Sequence, residues 1–153
     1  MCKSVSRTTL GVAVVLGAMA VPALGSAQIA GGPPMPPLMD QAEEVALALS
    51  AAPSRVSREA TVLVLNRGGF VKAREGTNGV TCMVDRYYTE ALEPQCFNSE
   101  AAATILPVLL RRNELREQGL EPGEIDEAIE RGYREGEFRL PQRLALAYMF
   151  SSD

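Results

Sequence analysis

The sequence predicts an α+β domain: a small three- to four-stranded antiparallel sheet with helices packed on one face, closed by one disulfide. Three observations predict it. Thr61-Val62-Leu63-Val64-Leu65 is a continuous apolar, β-branched run bounded by turn residues, the pattern of a buried strand. Apolar residues recur at helical spacing in the stretches around 40–51, 105–118 and 122–135. Cys82 and Cys96 are the two cysteines that remain once the amino-terminal segment is removed.

That segment, residues 1–27, reads as a cleavable secretory signal. Lys3 and Arg7 supply a basic start, Leu10 to Ala20 an uncharged apolar stretch, and Gly25-Ser26-Ala27 a small-residue cleavage site. Extended to Leu24 the apolar run is 15 residues, whereas a membrane span needs about 20. The mature form is therefore expected to have no transmembrane anchor, and the localisation expected is periplasmic or secreted. Residues 28–39 contain Gly31-Gly32-Pro33-Pro34-Met35-Pro36-Pro37, a flexible leader by composition. Residues 40–153 then form one small domain.

Asp40 caps a helix to Ala51, with Glu43 placed as in a capping box and Ala42, Val45, Ala46 and Leu49 on one face. Pro53 stops it. After the strand at 61–65, Asn66-Arg67-Gly68-Gly69 is a turn and Phe70 to Glu75 a second strand. Asn78-Gly79 is a strong hairpin signal, because both residues tolerate positive φ. A two-residue loop there pairs the second strand with a third, Val80 to Arg86. Val71, Ala73, Cys82 and Val84 then share the core face, and Lys72 forms a cross-strand ion pair with Asp85. Tyr87 to Pro94 is expected as a loop tied back at Cys96. Helices follow from Asn98 or Ser99 to Ala103, from Ile105 to Gln118, and from Pro122 to Gly136, the last with Ile125, Ala128, Ile129, Gly132 and Tyr133 as its apolar stripe. Leu144 to Phe150 is a last apolar segment suited to a fourth strand.

Composition excludes several functions. The chain has no His, which removes Ser-His-Asp and Cys-His catalysis and His-containing metal sites. The net charge of the whole chain is −4; loss of Lys3 and Arg7 leaves 13 basic against 19 acidic residues, or −6. A nucleic-acid partner requires basic excess, so none is expected. No cofactor and no metal site is expected either. An exported chain folds where thiols oxidise, so Cys82 and Cys96 are expected to bond.

Four candidate sites emerge. The Glu75-to-Gly79 turn carries oxygen ligands but lacks the repeated acids of a calcium loop. The disulfide loop carries Arg86, Tyr87, Tyr88 and Glu90, and paired tyrosines on a constrained loop suit a binding surface. Carboxylate pairs, such as Glu75 with Asp85 or Glu90, would serve a hydrolase. The helical stretch Leu106 to Tyr133 has a helix-turn-helix outline, but its second helix is acidic. The leading expectation is an exported, non-enzymatic binding or interaction module with a protein or cell-envelope partner. The alternative is a His-independent hydrolase using carboxylates or a Ser or Thr nucleophile.

Three stretches taken together, Arg74-Glu75-Gly76-Thr77-Asn78-Gly79-Val80-Thr81-Cys82, Leu92-Glu93-Pro94-Gln95-Cys96-Phe97 and Thr104-Ile105-Leu106-Pro107, resemble a group of small secreted bacterial proteins without an assigned activity. The resemblance covers roughly 42–150 and implies no catalytic residue. It implies relatives that continue past the equivalent of Phe150, so that this chain would be a shortened copy with an uncovered sheet edge near Leu144 to Phe150.

Overall fold

A computed structural model describes residues 37–86 and 91–150; the expected signal at 1–27 and most of the expected leader at 28–39 lie outside them. The described chain is an α+β fold built on a five-stranded sheet of order β2-β1-β3-β4-β5. The strands are β1 (Thr61–Asn66), β2 (Gly69–Arg74), β3 (Thr81–Asp85), β4 (Glu93–Phe97) and β5 (Ala147–Met149), and the helices α1 (Gln41–Ser50), α2 (Ser54–Ser57), α3 (Ser99–Thr104), α4 (Leu106–Glu117) and α5 (Pro122–Glu135).

The sheet is mixed rather than antiparallel throughout. β2 pairs with β1 through the turn at Asn66 to Gly69, where Asn66 Oδ1 accepts from Gly68 N at 2.7 Å and Gly69 has φ 103°. β3 then lies on the other side of β1 and runs parallel to it. The Asn78-Gly79 turn forms, with Asn78 Oδ1 accepting from Val80 N at 3.0 Å, but it closes a crossover rather than a hairpin. The crossover passes over the start of β1: Thr77 N donates to Glu59 O, Gly76 N to Thr61 Oγ1, and Thr61 N to Val80 O. The Arg74 guanidinium fixes its beginning by donating to the carbonyls of Ser57, Arg58 and Ala60. A Cβ on Gly76 would lie 2.1 Å from Thr61 N, so only glycine lets the loop pass this close.

This topology overturns the expected register between the second and third strands. Lys72 pairs with its neighbour Glu75 on the surface instead of with Asp85, and Val71 on the edge strand β2 is exposed. β4 takes in Glu93 and Pro94, the last two residues of the expected loop. Its Pro94 argues against an inner strand by sequence, yet the structure accommodates it. Residues 94, 96 and 98 face β5, with Pro94 O accepting from Phe150 N and Asn98 N donating to Leu146 O. The N–H that proline lacks would face the carbonyl of Phe150 at the end of β5, so one terminal bond on that side is forgone and the β3–β4 ladder loses nothing.

The same alternation makes Cys82–Cys96, directly opposite in the β3–β4 register, a non-hydrogen-bonded pair, where side chains approach most closely. They form the disulfide. Closing a loop of about 15 residues contributes roughly 3 kcal/mol in the chain-entropy model.

Helices flank both faces of the sheet. Val62, Val64, Cys82, Val84 and Cys96 pack against Ala48, Ala51 and Ala52 at the end of α1. Met83 and Phe97, one residue out of phase, pack against Ala101 of α3 and Leu106 and Leu109 of α4. α5 lies on α4 through Leu115, Ile125, Ile129 and Phe138, outside the sheet, and ends at Gly136 with φ 80°.

α1 is capped by Asp40 as expected, but its buried positions are Glu44 and Ala48, with Ala42 and Ala46 outside. Glu44 explains the shift. Fully buried, its Oε1 accepts from Leu65 N at 3.0 Å and from Arg86 Nη1 at 2.9 Å, and Arg86 Nη1 also donates to Val84 O. The parallel β1–β3 ladder pairs only Thr61 with Thr81 and Val62 with Cys82. Beyond that point the Glu44–Arg86 pair ties Leu65 of β1 to Val84 of β3.

Glu44→Leu is expected to cost about 3–5 kcal/mol, because it leaves Arg86 buried without its counter-charge. Glu44→Leu combined with Arg86→Met should recover most of that loss, and urea unfolding midpoints of the three proteins measure both. Gly76→Ala should lower the unfolding free energy by about 1–3 kcal/mol through the backbone clash alone, read from the same urea titrations.

Candidate functional site

Of the expected binding surface on the disulfide loop, Tyr87, Tyr88 and Glu90 lie outside the described residues. Arg86 is not on a surface: alternation along β3 turns it under the sheet toward α1, where it is fully buried against Glu44. Asp85 points to the opposite face. Its Oδ1 accepts from Asn113 Nδ2 at 2.8 Å and from Arg86 N, and its Oδ2 from Gln95 Nε2 at 3.4 Å. Glu93 stands opposite Asp85 in the ladder; burial, and then the Asp85 charge, push its carboxyl above the usual range.

The expected pairing of Glu75 with Asp85 does not form. Glu75 follows Arg74, which is beside Val62 at the start of β1, whereas Asp85 closes the other end of β3. The Glu75-to-Gly79 turn directs its polar groups into the crossover contacts described above. Among the described residues no three His, Cys, Asp or Glu side chains are grouped to hold a metal ion.

A cleft of about 570 Å³ lies between the β1–β2 turn, α4 and Phe138. Leu65, Phe70 and Leu110 contribute apolar wall, and Glu114, Glu117 and Glu137 contribute carboxylates. Arg111 of the same wall is paired with Glu114.

The most unusual arrangement is carboxy-terminal to α5. Here the amino terminus of α3 acts as an anchor. Asn98 caps α3 by accepting from Ala101 N, and the same side chain binds the incoming chain on both sides: Nδ2 donates to Leu144 O at 2.9 Å and Oδ1 accepts from Leu146 N at 3.2 Å. Glu100, in the first turn where the helix dipole favours an acid, accepts from Gln142 N at 2.9 Å and from the Arg139 and Arg143 guanidinium groups. These contacts lay residues 139–146 across the molecule and deliver β5 to the free side of β4.

The apolar side chains of this strap point the other way. Leu140 and Leu144 are 71% and 72% exposed, Met149 54% and Phe150 59%, with Leu146 and Tyr148 also exposed. Ala145 is the strap residue that packs against a core cluster. Polar groups thus hold the segment inward while six large apolar side chains face solvent, the reverse of the usual order and a mark of an interaction surface. β5 is also an edge strand. The Leu146 and Phe150 bonds to β4 alternate, so the N–H and C=O groups of Ala147 and Met149 point away from the sheet.

The sequence marks Asn98 only as a helix start and Leu144 to Phe150 only as an apolar run, and it gives Glu100 no role. What sequence could not supply is that the two segments meet.

No family model matches the chain, and no curated protein or solved structure matches it. Among the described residues no helix is long and apolar enough to cross a membrane.

The Glu100 carboxyl is held below its usual range, first by the Gln142 N–H and then by Arg139 and Arg143, against an opposing effect of burial. A folded-state value below the unfolded one means that its contribution is complete above the unfolded value and is lost as pH falls through the folded one. Protection of the Gln142 amide against hydrogen exchange should therefore fall on acidification below the ordinary glutamate range. In Glu100→Gln it should be lower from the start and lack that step.

Proposed function

We propose that this chain is an exported interaction module that takes up an extended partner segment on the free edge of β5. The observation that carries the reading is the strap: an edge strand with outward backbone groups, flanked by six exposed large apolar side chains and fastened from behind by Asn98 and Glu100. Strand addition obtains affinity from main-chain hydrogen bonds and specificity from the flanking side chains. The opposite edge, β2, carries exposed Lys72 and ends in the Arg74 clamp; a charged edge resists such pairing. Export is supported by the signal pattern in residues 1–27 and is consistent with the Cys82–Cys96 disulfide. A hydrolase using Glu75 and Asp85 has less support, because the two acids stand at opposite ends of the sheet.

The test is a photo-crosslinking residue at Leu144 in the full-length chain, expressed in a bacterium with a periplasm, with Val71 on β2 as the control position. A discrete adduct from Leu144, none from Val71, and loss of the Leu144 adduct in Met149→Lys are expected. Equal labelling at both edges would rule the β5 reading out. Export predicts a mature amino terminus at Gln28, which amino-terminal sequencing of the recovered protein reads directly.

A further inference from the structure

Resting on the reading of β5 as a partner-binding edge, we infer that a second copy of this chain is the partner: two β5 strands pair antiparallel about a two-fold axis through Tyr148, joining two five-stranded sheets into one of ten strands.

The hydrogen-bond parity of the edge supports this. Leu146 and Phe150 are bonded to β4, so Ala147 and Met149 present the outward N–H and C=O groups. These two residues lie symmetrically on either side of Tyr148. An antiparallel mate centred on Tyr148 places Ala147 of one copy against Met149 of the other, and the reverse, so each outward pair exchanges both of its hydrogen bonds. The edge is its own complement, as a two-fold interface requires. Tyr148 then faces the second copy's Tyr148 in a non-hydrogen-bonded pair, the closer of the two spacings, where aromatic pairs are favourable. Leu146 faces the second copy's Phe150 on the same side of the sheet, which extends the contact into a continuous apolar row.

Charge agrees with this geometry. Leu144 to Phe150 carries no ionisable side chain except the Tyr148 phenol, so nothing in the run repels its own copy. Arg139 and Arg143 precede the strand. Antiparallel pairing sends the two Arg143 residues to opposite ends of the contact, roughly 30 Å apart at strand rise; a parallel mate would set them side by side. Area agrees too. One side of a standard interface buries about 800 Å², and six large apolar side chains between 37% and 72% exposed offer area of that order. The chain's own leader is a poorer occupant, because Pro33, Pro34, Pro36 and Pro37 lack the N–H groups that a strand must donate.

The experiment is sedimentation equilibrium on the disulfide-bonded mature chain, with circular-dichroism melting and thiol titration on the same samples. The expected result is twice the chain mass for the parent and the single-chain mass for Met149→Lys, with unchanged melting cooperativity and no free thiol in either. The register is tested by disulfide trapping. Tyr148→Cys lies on the axis and should give a covalent dimer under mild oxidation, whereas Leu146→Cys faces the second copy's Phe150 and should not. A monomeric parent at all concentrations, open-ended aggregates in place of a dimer, or equal trapping at 146 and 148 would each overturn the inference. A monomeric parent that still gives the Met149-dependent adduct from Leu144 would overturn the second copy as partner and leave the interaction-module reading standing. Loss of both results would remove both.

Discussion

The architecture turns on the buried pair Glu44–Arg86. The chain leaves β2 and crosses the start of β1 to reach β3 in a short loop, and the parallel strands β1 and β3 share only two register positions. The carboxylate of α1 and the guanidinium of β3 bridge the strands where that ladder ends, reaching Leu65 N on one side and Val84 O on the other. One contact thereby ties α1 to both β1 and β3 at the end where their ladder stops. Among the described residues it is also incompletely satisfied: Glu44 Oε2 and Arg86 Nε and Nη2 have no hydrogen-bond partner there. Buried pairs of this kind add little net stability against an apolar replacement, and removing one member is costly. Its effect is on which strands pair and where, more than on how strongly the fold holds.

From that point the structure separates into two halves with different chemistry. On the α1 side the Cys82–Cys96 bond, the alanines of α1 and the valines of β1 and β3 form a small apolar core. On the other side Met83 and Phe97 meet α3 and α4, and the polar network of Asp85, Gln95 and Asn113 closes the end of the sheet. The strap belongs to this second half through Asn98 and Glu100, which both sit at the start of α3. A helix amino terminus satisfied in this way does two tasks at once. It caps its own orphan N–H groups, and it fixes the backbone of a distant segment, so that the segment's apolar side chains are presented outward rather than gathered into the core.

Much of the local structure was legible in the sequence. Asp40, Asn98, Pro122 and Gly136 mark helix ends through local hydrogen bonding and φ preference, which depend on a few neighbouring residues. The run at 61–65, the turn at Asn66 to Gly69 and the Cys82–Cys96 bond were legible for similar reasons: burial pattern, turn chemistry and an even count of cysteines. The strand pairing was not. Asn78-Gly79 makes the same local turn whether it closes a hairpin or a crossover, and the difference rests on Arg74, Glu59 and Thr61, which hold the loop across β1. β4 was concealed by Pro94, whose missing N–H falls on the β5 side at that strand's end and costs the β3–β4 ladder nothing.

The sequence by itself thus determined the α+β class, the helix boundaries, the disulfide partners and the absence of imidazole chemistry, because each follows from residue type and short-range spacing. Only the tertiary structure decided the strand order, the burial of Glu44 and Arg86, and the exposure of the strap. The strand order depends on contacts such as Arg74 with Ser57, 17 residues apart, and the burial and exposure on contacts such as Glu44 with Arg86 and Glu100 with Gln142, each 42 apart. No local pattern of charge or hydropathy distinguishes an acid that will be buried, or an apolar run that will face solvent, until its partner is in place.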